Sequence, residues 1–214
     1  MSKSLPPTIG TPRGVSVHGA SADLLADLLQ ELEREVRNQG VPLDRFLRPG
    51  ASRVDIVSEF TLAGLVAPEE AIVLFEWHDG RLEVPGAFSA LPVFPLWSLE
   101  YLAGFLARTS FPPRGFGRWE WNPNWVHIMG DQNGLAMSCA DDPESPPLVR
   151  FVSDDGSTST QEGDTTYQVV SLCTPVTWWI DSIRRGWYRW DADSGTWIRD
   201  ALEQPLIRAI YAMT

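Results

Sequence analysis

The most regular stretch of the chain is the one in which Leu24, Leu25, Leu28, Leu29, Leu32 and Val36 recur at three- and four-residue spacing with charged residues between them. That period places the apolar side chains along one stripe of an α-helix. Ser21 is a side-chain cap for its first turn, Asp23 and Asp27 suit the positive end of the dipole, and Gly40 supplies a stop. A second helix is predicted from Ser52 to about Leu65, with Val54, Val57 and Phe60 on one side. Pro68, Glu69 and Glu70 open a third, because proline at a first turn forfeits no hydrogen bond and acids offset the dipole. It carries Ile72, Leu74, Phe75 and Trp77 and ends at Asp79-Gly80.

Beyond Gly80 the pattern changes. Leu82 to Val84 and Phe88 to Phe94 read as short strands or extended connectors, and Leu96 to Ala107 as a helix that buries Leu99, Leu102, Phe105 and Leu106. Strands are predicted at Trp125 to Met129, Leu135 to Ala140, Leu148 to Val152 and Tyr167 to Leu172, with Asn133-Gly134 as a hairpin signal between the first two. Thr174-Pro175 opens a helix with Trp178, Trp179 and Ile183 on its apolar face, and Gly186 ends it. A small hairpin at Trp187 to Trp190 and Thr196 to Arg199 precedes a closing helix over 201–213. Residues 1–20, with three prolines and three glycines, read as a flexible, loosely attached lead-in. Helices, then an antiparallel run, then helices around a last hairpin imply an α+β fold: a mostly antiparallel central sheet flanked by helices. We expect one domain over 21–214, made of a helical lead-in (21–66), a core at about 50–190 and a C-terminal extension (191–214).

The chain has 214 residues, 43% of them hydrophobic and 21% charged, which suits a globular protein and is too apolar for wholesale disorder. Seventeen Lys and Arg against 28 Asp and Glu give a net charge of −11. That sign excludes a general nucleic-acid or anionic-membrane binder and suits either a solubilising surface or a basic partner. Two cysteines cannot build a disulfide scaffold, and both lie in apolar segments where buried, unreactive thiols are expected. The longest apolar runs, Ala71 to Phe75 and Leu91 to Trp97, fall far short of the ~20 residues that cross a bilayer. With no signal-peptide pattern at the start, the expectation is a cytoplasmic protein.

Phosphate loops, dinucleotide fingerprints and nucleophile elbows are missing from the sequence, and His18, His78 and His127 share no metal-ligand spacing. Cys139 or Cys173 with His127 could pair as nucleophile and base only if the thiol were exposed. His78 at a helix end suits the dipole and the last carbonyls. Acids crowd residues 141–164: Asp141, Asp142, Glu144, Asp154, Asp155, Glu162 and Asp164 against Arg150 alone. They fit a solvated loop, a calcium site lacking a complete EF-hand spacing, or a patch that docks a basic partner. Trp119, Trp121 and Trp125 alternate with polar residues, so an extended segment would set their rings on one face, either in the core or as an exposed recognition surface.

Several segments resemble, in order, those of the SUKH superfamily, the Smi/Knr group of fungal cell-wall regulators and bacterial toxin-immunity proteins. Pro68-Glu-Glu-Ala-Ile-Val-Leu-Phe-Glu-Trp-His-Asp-Gly80 is similar to its proline, short helix and asparagine- or aspartate-glycine segment, and Phe94-Pro-Leu-Trp-Ser-Leu-Glu100 to its strand-to-helix step. Trp125 to Gly134 resembles its strand, glycine-acidic turn and next strand, Pro147 to Asp155 the following strand, and Leu172 to Ile180 the late helix. The resemblance spans roughly residues 50–190. The long first helix, the Trp-rich 115–125 loop and the extension after 190 depart from the pattern. What the resemblance implies is an α+β domain without catalytic residues or cofactors that works by binding protein. Bacterial members are often immunity proteins that neutralise a toxin, frequently a nuclease, whose basic surface a −11 chain complements. In that reading Asp141, Asp142, Asp154 and Asp155 steer a basic toxin domain and Trp119 and Trp121 anchor it. A regulatory scaffold docking cellular partners is the alternative, and an enzyme of unrecognised type the third.

Overall fold

The computed structural model describes residues 4–12, 14–82, 91, 95–102, 124–130, 133–139, 148–153 and 169–199. The extended segments predicted at 82–84 and 88–94, the helix predicted at 96–107, the aromatic loop and the closing helix predicted at 201–213 lie wholly or partly outside these.

Helix α1 (Ala22–Asn38) forms where its leucines predict it. The Ser21 hydroxyl accepts a hydrogen bond from Leu24 N, and Leu25, Leu28, Leu29, Leu32 and Val36 are buried. Its C-terminus closes in a Schellman motif: Gly40 N donates to Arg37 O and Val41 N to Val36 O, with Gly40 at φ +86°. Helix α2 (Arg53–Leu62) starts at Ser52, whose hydroxyl accepts from Asp55 N, and α3 (Glu69–Trp77) follows Pro68. Helix α4 (Cys173–Arg184) begins before the expected Thr174 cap. Its first turn is held instead by the Glu70 carboxylate, which accepts from Leu172 N at 2.6 Å, so Thr174 sits inside the helix, fully buried.

The six-stranded sheet has the order β1-β2-β6-β5-β4-β3, with strands β1 (Thr8–Thr11), β2 (Gly14–Val17), β3 (Trp125–Gly130), β4 (Asn133–Ser138), β5 (Leu148–Ser153) and β6 (Val169–Val170). Four neighbouring pairs are antiparallel, but β2 and β6 run parallel, so this α+β sheet is mixed rather than mostly antiparallel. The parallel pair arises because residues 8–17 are a hairpin inserted beside β6. The loosely attached lead-in expected there is corrected: His18 N bonds Pro7 O, and Trp178 Nε1 bonds Thr8 Oγ1 at 3.3 Å. A separate hairpin, β7 (Tyr188–Asp191) and β8 (Thr196–Arg199), pairs Trp190 with Trp197 across the strands and packs Trp190 edge-on against Phe46.

One core joins these layers. Helix α4 packs along α1 and against β2, β6 and β7, and is buried from Cys173 through Ile180. Phe75 and Leu74 of α3 are fully enclosed, each stabilising the fold by about 1.5–3 kcal/mol. Ionic contacts brace the α1–α4 seam: Arg184 bonds Glu35 at 2.8 Å and also meets the buried Glu31, which Arg34 holds from the other side.

Beyond β3 the ladder continues as single bridges. Leu96 pairs with Met129, Arg81 N donates to Leu96 O, and Leu47 pairs with Arg81. Asp79 and Gly80 organise this corner. Asp79 Oδ1 accepts from Leu99 N at 2.8 Å, capping the helical turn at 99–102, while Gly80, at φ +76°, lies flat against the Trp97–Ser98 backbone. A Cβ on Gly80 would fall 2.6 Å from Trp97 C and 2.5 Å from Ser98 Cα. The Asp-Gly pair therefore does two jobs: one side chain caps, and one missing side chain makes room.

Candidate functional site

The six residues expected to meet a partner, Asp141, Asp142, Asp154, Asp155, Trp119 and Trp121, lie outside the described residues. The described residues that precede the two acidic pairs are Cys139, just past β4, and Ser153, the end of β5. Because Ser153 pairs with Asn133 at the start of β4, those two points stand at opposite ends of the ladder, about 20 Å apart at ~3.4 Å per residue.

The reactive side chains that are described serve the scaffold. Cys139 is buried, and burial pushes its thiol up to about 12. Cys173 is buried too; loss of solvent raises its thiol, and its Sγ lies 3.4 Å from Ser21 O. Neither is poised as a nucleophile at neutral pH. His78 is the C-cap of α3, its backbone N–H donating to Leu74 O, but its side chain does not bond the last carbonyls of that helix as expected. The His78 Nδ1 lies 2.7 Å from Arg48 O in the connector before α2, and Nε2 is 3.9 Å from Glu33 Oε2, beyond hydrogen-bond reach; that oxygen accepts from Trp77 Nε1 at 3.0 Å. Among the described residues no cluster of His, Cys, Asp and Glu could hold a metal ion, and no helix is long and apolar enough to cross a membrane.

A cleft of about 600 Å³ opens between the β1–β2 hairpin, the first turn of α1 and the start of α3, with Ser16, Val17, Ser21, Glu70, Val170 and Ser171 in its wall. Glu70 is 5% exposed, and burial raises its carboxyl above the usual glutamate range against the bonds from Ser171 and Leu172. Ser171, at φ +96°, is the one non-glycine residue with positive φ among the described residues. Its hydroxyl bonds the Glu70 carboxylate and accepts from Cys173 N at 3.0 Å. That bonding explains the strain: the turn that delivers β6 into α4 is clamped from α3.

Six of the described tryptophans build structure. Trp178 and Trp179 are buried, and Trp77, Trp97, Trp190 and Trp197 pack against the core. The most exposed apolar side chains among the described residues lie on and just after α2. The sequence reading put Val54, Val57 and Phe60 on one side. Phe60 is instead buried with Ile56, while Val54 is 77% and Leu62 79% exposed, and Val57 and Val66 are exposed beside them. Residues six apart lie 600° around a helix, so Val54 and Phe60 point 120° apart, whereas Ile56 and Phe60, four apart, share a face. The signal was present: a short helix apolar on two sides needs two partners.

Searches against protein-family models and against curated proteins give no match.

Proposed function

We propose that this chain is a non-catalytic protein-binding domain of SUKH type, an immunity protein that acts in the cytoplasm by occluding a toxin domain with a basic surface. One observation carries the reading. Two of the segments by which the chain resembles that superfamily meet through backbone contacts and require each other. Gly80 seats against Trp97–Ser98, Asp79 caps Leu99, and Trp97 N in turn donates to Ile128 O in β3. A likeness whose short motifs share one physical reason is stronger support than any motif alone. The buried thiols and the commitment of Glu70 and His78 to backbone groups favour binding over catalysis as the use of this surface.

The test is a pull-down of the full chain from its native cells at low salt with stepped salt elution, followed by co-expression of the recovered toxin. A single basic partner released by salt, and cells rescued from it, support the reading. Several unrelated proteins without rescue favour the regulatory scaffold. In the immunity reading Asp141, Asp142, Asp154 and Asp155 steer the partner and Trp119 and Trp121 anchor it. Reversing the charge of two of those acids should slow association and flatten its salt dependence.

A further inference from the structure

We infer that the outward face of α2 is a docking surface for a basic amphipathic helix of a partner protein, an inference that rests on the protein-binding reading. The face is continuous along the helix: Val54, Ser58 and Leu62 form one row at four-residue spacing, Val57 and Thr61 the next, and Val66 extends it past the C-terminus. Rows at this spacing pack ridge into groove against another helix, and the small Ser58 between two large apolar side chains allows close approach. Ten residues of α2 span about 15 Å, enough for roughly three turns of a partner.

Charge selects the occupant. Asp55 and Glu59 border the face on α2, with Glu69 and Glu76 on the adjoining α3. The single cation on α2, Arg53, is already held by Glu69 at 2.6 Å. A second copy would set acids against acids, whereas a helix with an apolar centre and Lys or Arg at its edges meets both demands.

The experiment uses the full chain and a labelled synthetic helix with a leucine face and lysine edges, beside a twin with glutamate edges, read by fluorescence anisotropy. The basic helix should bind and its twin should bind at least tenfold more weakly. Val54→Asp and Leu62→Asp should each weaken binding tenfold or more, and Asp55→Lys with Glu59→Lys should do the same. Ile9→Asp, at an exposed apolar position on β1, should change nothing, and thermal melts check that each variant is folded. The inference is overturned if the basic helix does not bind, if the twin binds equally, or if the α2 variants bind like the parent. It is also overturned if the free chain is a dimer that Val54→Asp dissociates, or if the face binds neutral lipid vesicles instead. A Val54→Asp variant that still rescues cells from the toxin would remove α2 from the interface and leave the immunity reading standing.

Discussion

Gly80 offers the sharpest test of how this fold is held, because Gly40 provides a matched control. Both have positive φ, +76° and +86°, so alanine at either position costs about 1–2 kcal/mol of backbone strain. Their surroundings differ. Nothing lies within 4 Å of a Cβ built on Gly40, whereas on Gly80 it overlaps the backbone of Trp97 and Ser98. Backbone cannot swing aside as a side chain can. To admit the methyl group, residues 96–98 must retreat and strain the bonds from Arg81 N to Leu96 O, Trp97 N to Ile128 O and Leu99 N to Asp79. Losing two of these at about 1 kcal/mol each brings the cost of Gly80→Ala to about 3–4 kcal/mol, against about 1–2 for Gly40→Ala. A gap of ~2 kcal/mol is roughly a thirtyfold difference in folding constant. Urea unfolding followed by tryptophan fluorescence would resolve it, with equal slopes confirming that the unfolded states match. Equal losses in the two variants, within about 0.5 kcal/mol, would refute the claim that close backbone approach at Gly80 holds the corner.

Other expectations follow from the buried polar groups. Glu70→Ala should cost about 2–3 kcal/mol, since it orphans Leu172 N and frees the strained Ser171 turn, as thermal melts would show. Burial raises the Glu70 carboxyl, so the folded state keeps a proton at pH values where the unfolded chain has lost it. Its contribution to stability is therefore full below the ordinary glutamate value and is lost as pH rises through the raised one; Glu70→Gln should flatten the pH–stability curve in that interval. Arg184→Ala should destabilise by about 2–4 kcal/mol in urea unfolding, because the buried Glu31 would keep only Arg34 as a partner. Both thiols should resist an aromatic disulfide reagent in the folded protein and react once it is unfolded; fast reaction of either in the native state would contradict their burial.

The surface of α2 was half legible in the sequence. Ser52 announces where the helix starts, but which of its apolar residues the core takes depends on where α3 lies, and Ile56 and Phe60 won that place over Val54 and Val57. Glu70 was read as a charge favouring the start of its own helix, when its carboxylate in fact reaches Leu172, about a hundred residues on, and holds the first turn of α4. The acids and tryptophans expected to carry recognition fall outside the described residues.

What the sequence determined by itself is local. Serine caps at 21 and 52, proline at 68, glycines at 40 and 186 and the period of the leucines depend on bonds spanning a few residues, and the helices begin and end accordingly. What only the tertiary structure decided depends on partners distant along the chain. The parallel seat of the first hairpin beside β6 could not be read from two four-residue strands, because a two-residue strand and a buried tryptophan, more than 150 residues later, create that seat. Period and capping are encoded where they act, whereas the choice of neighbour is settled by which surfaces the whole chain can bury together.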